Sequence, residues 1–159
     1  MNATDGTETG KDLREELNLS LINSGMTALR DGDEGAALTL FERAHTMSES
    51  PIAGSFLGYC TARAGGDIEK ALSLCKEALR RDPHNPVHYL NLGRVYLLSG
   101  NKEDAVKVLH DGLGHEENSD IRAELAALGN RKEPLLSFFG RSNPINKYFG
   151  IVLKKLGFQ

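Results

Sequence analysis

The sequence predicts an all-α fold: a solenoid of three antiparallel helical hairpins, followed by a capping helix and a C-terminal amphipathic helix. The first observation is a stride. Gly32, Gly66 and Gly100 stand 34 residues apart, and Ala37, Ala71 and Ala105 keep the same interval, the mark of a repeated supersecondary unit. The second is that the neighbours stay in register: Leu38/Leu72/Val106, Leu40/Leu74/Val108, Phe41/Cys75/Leu109 and Ala44/Ala78/Gly112. The third is the spacing inside each unit. Ala37, Leu40, Phe41 and Ala44 recur every three or four residues, which places them on one helical face.

Taken in chain order, residues 1–11 (MNATDGTETGK) are polar and are expected to be disordered. The first hairpin is placed at about 12–50, with a charged start to its first helix from Lys11, the residues Leu21, Gly25 and Ala28 marking that helix, and Gly32 turning the chain. The second is placed at about 51–83, with Leu57 and Gly58 on its first helix, and the third at about 84–117, with Tyr89, Leu92, Gly93 and Tyr96. The turn glycines supply the positive φ that L-residues resist. Gly25, Gly58 and Gly93 are expected to face Ala37, Ala71 and Ala105, so that paired helices approach closely. Gly58 precedes Ala71 by one residue more than its counterparts precede theirs, so the Gly65-Gly66 turn is expected to hold one extra residue. Residues 118–130 read as a capping helix opened by Ser119 and Asp120 and stopped at Gly129.

Residues 131–159 differ in charge. Residues 1–130 carry 13 basic and 21 acidic side chains, net −8, whereas the tail carries six basic residues against Glu133, net +5. After Asn143-Pro144, a helix over about 144–156 would place Ile145, Tyr148, Phe149, Val152 and Leu156 on one face, with Lys147, Lys154 and Lys155 around it. Such a cationic amphipathic helix suits either docking on the acidic array or an anionic membrane surface.

The segments LGYCTARAGGDIEKALSLCKEALRRDP (57–83) and LNLGRVYLLSGNKEDAVKVLHDGL (90–113) resemble the tetratricopeptide repeat in their Leu-Gly, Gly, Ala and Pro landmarks. The resemblance covers about residues 18–117, and Pro83 closes the second unit as the family's proline does. Pro51 comes late and Glu117 stands where a third proline would. The tail more faintly resembles that of uncharacterised bacterial members. The resemblance implies a superhelix whose first helices line a concave groove for an extended or helical peptide. On this sequence that face maps to Leu19, Ile22, Met26 and Leu29, then Ile52, Ser55, Tyr59 and Ala62, then Val87, Leu90, Arg94 and Leu97, with Tyr59 and Arg94 as anchors. Leu19, Ile52 and Val87 read equally well as inter-repeat core. The groove so mapped is mostly apolar. The subclass that clamps acidic chaperone tails uses lysines and asparagines where this sequence has Ile22 and Met26, so that role is not expected. A protein or peptide partner is expected, and no cofactor.

Reactive chemistry finds no footing. Asp31, Asp33 and Glu42 resemble a calcium loop only superficially, because Gly35 stands where a ligand is needed and Ala36 where the glycine belongs. His84 and His88 have a metal-compatible spacing but no third ligand, and read as surface or capping residues of an inter-repeat turn. His45, His110 and His115 show no partner pattern, and Cys60 and Cys75 fall within helical patterns as buried, inert thiols. There is no phosphate loop, nucleophile elbow or zinc-protease motif, so a non-enzymatic protein is expected. A body of net −8 disfavours nucleic acid. No run approaches the roughly 18 apolar residues of a spanning helix, and the first residues lack the order of a signal peptide. The cytoplasm is the expected compartment, with Asn2 and Asn18 as chance sequons. The expected function is therefore a protein-interaction scaffold, gated by its own C-terminal helix in one version. A membrane-surface adaptor or a non-catalytic subunit of a larger assembly are the alternatives.

Overall fold

A computed structural model describes residues 5–130 of the chain. It divides into two compact units, Met1–Leu125 and Ala126–Gln159. Of the second, only the closing turn of one helix, Ala126–Asn130, lies among the described residues. The tail helix expected at 144–156, with Ile145, Tyr148, Phe149, Val152 and Leu156, falls outside them.

The described elements are all helical: α1 (Asp5–Asp31), α2 (Glu34–Ser48), α3 (Pro51–Arg63), α4 (Ile68–Arg81), α5 (Pro86–Leu98), α6 (Lys102–Leu113) and α7 (Ser119–Asn130). They pair as α1–α2, α3–α4 and α5–α6, with α3 packing on α2 and on α5. Each helix start is written into the sequence. Asp33, Asp67, Asn85 and Asn101 accept first-turn amide protons at the starts of α2, α4, α5 and α6, satisfying donors that no helix can satisfy internally. Pro51 and Pro86 occupy the first turns of α3 and α5, where a missing N–H costs nothing. Asn118 caps α7, its Oδ1 accepting from Asp120 and Ile121 at 3.0 Å each; the opening is therefore one residue earlier than Ser119.

Helix α1 starts at Asp5, so residues 5–11 are helical where disorder is expected from composition. No proline interrupts the run, and Gly6 and Gly10 cost only about 1 kcal/mol each. The helix overhangs its partner: Asn18 donates from Nδ2 to the Ala44 carbonyl at 2.7 Å, while Leu13 and Leu17 upstream are exposed.

The stride resolves into two interlocking registers. Gly25, Gly58 and Gly93 are each seven residues before a positive-φ glycine, Gly32, Gly65 and Gly100. The residue after each of these, Asp33, Gly66 and Asn101, returns its N–H to the carbonyl of Ala28, Thr61 and Tyr96 at 2.9 Å, closing the helix end in the same way three times. In the first and third hairpins that residue is also the next helix's cap. In the second, Gly66 is inserted before the cap Asp67, which is the extra residue.

The first-helix glycines face a different set than expected. A Cβ on Gly25 would lie 2.8 Å from the Phe41 ring, on Gly58 2.7 Å from Cys75 Sγ and from the Ala71 carbonyl oxygen, and on Gly93 2.7 Å from Leu109. Each glycine thus receives the large buried residue one turn beyond the alanine; Ala71 alone shares the contact, through its backbone. Ala37, Ala71 and Ala105 are themselves fully buried.

Candidate functional site

A hollow of about 350 Å³ opens among the first helices of the hairpins, lined by Met26, Leu29 and Arg30 of α1, Phe56, Tyr59 and Arg63 of α3, Arg94 of α5 and Asp120 of α7. Its floor is tied to the core. Phe56 stacks on Phe41 with centroids 4.8 Å apart and planes 7° from parallel. Phe41 is fully buried and has its place because Gly25 has no side chain. A residue on α1 therefore sets the position of an aromatic ring on α3 through one on α2.

Tyr59 has two cations close to its ring. The guanidinium carbon of Arg94 lies 5.3 Å from the ring centroid and that of Arg63 6.0 Å, within reach of a cation–π attraction. Arg63 also donates to the Tyr59 hydroxyl at 3.3 Å and, through Nε, to Glu34 at 2.6 Å. Arg94 donates through Nε to Glu124 of α7 at 2.6 Å, both side chains being half-buried.

The nine residues expected to form the groove separate by repeat position. Met26, Tyr59 and Arg94 each follow a first-helix glycine, and all three line the hollow. Ile22, Ser55 and Leu90 lie three residues before the same glycines and are buried, as is Ala62. These four belong to the packing between helices, and Ser55 meets His88 and Asn91 of the next hairpin. Leu29 lines the hollow, while Leu97 is half-buried and not part of its wall. Of the residues left open, Leu19 is exposed, Ile52 packs against the core and Val87 is half-buried. The sequence reading missed Arg30, Arg63, Phe56 and Asp120. Arg30 and Arg63 share one repeat position, five beyond Gly25 and Gly58, so a column of arginines was there to be found. The surface is consequently arginine-rimmed, not merely apolar.

Ser55 has another role. It is fully buried between α3 and α5, with His88 Nδ1 3.0 Å and Asn91 Nδ2 3.2 Å from its Oγ. His88 is therefore not a surface or capping residue but is 0% exposed. Its Nε2 lies 3.5 Å from Asp82 Oδ2. The Ser55 hydroxyl is also placed to donate to the Ile52 carbonyl at 3.2 Å, so the tautomer of His88 decides which way the bond between Nδ1 and Oγ runs. Burial holds the His88 pKa below its ordinary value, with Asp82 opposing the shift. Although serine, histidine and aspartate are aligned, Ser55 and His88 have no solvent exposure, so no substrate could reach them. Burial also pushes the thiols of Cys60 and Cys75 up to about 12, which keeps both protonated and unreactive. His84 and His115 meet edge to face at 5.4 Å, and His115 Nε2 lies 2.8 Å from the Tyr89 hydroxyl. Among the described residues no group of three metal-ligating side chains converges, and no helix is long and apolar enough to cross a membrane.

The tetratricopeptide repeat family model matches residues 62–128, from the end of α3 through α4, α5 and α6 and most of α7. Over that stretch the chain matches the tetratricopeptide repeat. Solved tetratricopeptide domains share the arrangement. The first such domain of Spaghetti (RPAP3), bound to an HSP90 peptide, superposes with a TM-score of 0.59 at 18% identity, covering 72% of this chain and 94% of that one. The second domain of human RPAP3, in complex with an HSP70 peptide, gives 0.58 at 15% identity, over 74% of this chain and 99% of that one. An O-GlcNAc transferase mutant of Thermobaculum terrenum gives 0.59 at 24% identity, over 67% of this chain but 20% of that one. At these identities the likeness is one of fold. In sequence, 75 residues are 37% identical to a putative pentatricopeptide repeat-containing protein of Arabidopsis thaliana, covering 43% of this chain; the chain spans 17% of that protein's length.

Proposed function

We propose that this protein is a non-catalytic, cytoplasmic adaptor that receives a peptide segment or an amphipathic helix in the hollow between its tetratricopeptide hairpins. The observation that carries this reading is the hollow itself, with apolar Met26, Leu29 and Phe56 beside Tyr59 and its two flanking arginines. Rigid aromatic and arginine side chains grouped in a concavity are the usual anchors of a protein interface. The peptides held by the two RPAP3 domains support it by analogy of fold. A full-length bait and its Tyr59→Ala/Arg94→Ala counterpart, captured side by side, test the proposal. The expected result is a set of proteins retained by the first and lost by the second. Identical sets, with both baits folded by circular dichroism, would refute it.

The opposed charges of the body and the tail, −8 and +5, favour a finer version in which residues 131–159 cover part of the body until a partner displaces them. Removing those residues is expected to raise partner binding several-fold, and unchanged binding rejects the cover. The rival membrane-surface reading predicts co-sedimentation with vesicles of anionic lipid, weakening as salt rises.

A further inference from the structure

We infer that the segment taken by this hollow presents a single acidic side chain beside a bulky apolar one. The inference rests on the adaptor reading above and specifies its partner. Three of the 13 basic residues in a body of net −8 converge on one hollow: Arg30, Arg63 and Arg94. Arg63 and Arg94 bind their carboxylate partners, Glu34 and Glu124, through Nε. A guanidinium offers five N–H donors in a fork that matches a carboxylate, so donors remain at Arg94 for a second acceptor. The Tyr59 ring and the two carboxylates hold both guanidiniums in place, which lowers the ordering cost of that bond.

Glu124 is informative because it is already a carboxylate on Arg94, supplied by the chain itself. An incoming acid shares or takes that place. The acid must be solitary, since Asp120, Glu124 and Glu34 stand around the same arginines and repel a run of negative charge. The apolar companion lies on Met26, Leu29 and Phe56, whose aliphatic and aromatic surface has no charge to offer. Because the hollow is walled by three successive first helices, it suits a segment passing across the array, so the acid is carried by a side chain and not by a chain end.

The test is selection of a random twelve-residue peptide library, displayed without free C-termini, on the full-length protein. Enriched peptides are then measured as amidated synthetic copies by fluorescence polarisation. Enriched peptides are expected to hold one Asp or Glu within about four positions of Leu, Ile, Met or Phe, the reach of one helical turn. Affinity should fall about tenfold or more with Arg94→Gln, or when the peptide acid becomes its amide, as for loss of one charge-assisted pair. Glu124→Gln, which removes the internal competitor, should strengthen binding. Peptides that bind equally well as amides, or that bind Arg94→Gln as tightly, overturn the inference and leave the adaptor reading standing. If the wild type enriches nothing beyond a folded Tyr59→Ala/Arg94→Ala control, the inference and the adaptor reading fall together.

Discussion

The two junctions between hairpins are built from opposite materials. Where α1 and α2 meet α3, the packing is apolar: Ile22, Leu21, Phe41 and Leu57 are buried, and Phe41 stacks on Phe56. Where α3 meets α5, three polar side chains with no solvent exposure, Ser55, His88 and Asn91, hold one another by hydrogen bonds. The first junction gains its stability chiefly from area removed from water, with the His45 ring of α2 packed against Gly54 of α3. The second depends on directional bonds, which fix geometry and carry a penalty when one partner is lost. One array thus contains a junction centred on stacked aromatic rings and a junction centred on a hydrogen-bonded imidazole.

Removing the ring at the apolar junction should have the largest effect. Phe41→Ala is expected to cost about 3–5 kcal/mol in urea unfolding, because the ring fills the space Gly25 leaves and supports Phe56. The loss should be the same at pH 5 and pH 7. A cost below about 1 kcal/mol would show that the neighbours close over the gap and that the floor of the hollow does not depend on this stack. At the polar junction, Ser55→Ala removes a smaller volume but leaves His88 Nδ1 and Asn91 Nδ2 facing each other without their common partner. The expected cost is about 1–3 kcal/mol. A neutral result would mean that water or Asn91 takes over the bond.

The pH dependence separates the junctions directly. His88 is buried, and desolvation lowers its pKa from 6.5 in the folded chain. As pH falls through that unfolded value the unfolded chain gains a proton that the folded chain refuses, so stability is full above about 6.5 and declines below it. One such group contributes a slope of at most about 1.4 kcal/mol per pH unit. His88→Gln should flatten stability between pH 7 and pH 5 relative to the parent, while Phe41→Ala should leave the parent's slope in place. If the parent and His88→Gln lose stability in parallel, the titrating group lies elsewhere.

Much of this was legible in the sequence, and the omissions have a common cause. Glycine and alanine strides gave the hairpins, their turns and even the inserted Gly66, because backbone conformation and close approach depend on residue size alone. Side-chain direction around a helix is harder to read. Ile22, Ser55 and Leu90 share the column four residues before Met26, Tyr59 and Arg94. They look like groove residues by period, yet all three are buried in the packing between helices. His88 reads as a surface histidine because its partner Ser55 is 33 residues away, and Asn91 reaches the same hydroxyl across 36. No local pattern announces such a pair. Arg30 and Arg63 were in the open as a repeat column and were passed over because the family landmarks are apolar.

The smallest effect is expected at the linkers, and there too the junctions differ. Glu49 ends α2 at φ 48°, the one left-handed non-glycine residue among those described. Its counterpart Asp82 ends α4 at φ −138°, where any residue is at ease, and accepts a bond from Asn85 at 3.2 Å. The left-handed region costs an L-residue about 1–2 kcal/mol, which glycine escapes while losing about 0.5–1 kcal/mol through its freer unfolded chain. Glu49→Gly should therefore stabilise by about 0.5 kcal/mol, the more so because Arg81 binds the Glu49 backbone carbonyl, which the substitution keeps. Asp82→Gly, with no strain to relieve and a side-chain bond to lose, should destabilise by about 1 kcal/mol. Opposite signs in matched unfolding curves bear out the comparison; the same sign at both sites would mean that the Glu49 conformation stores no strain.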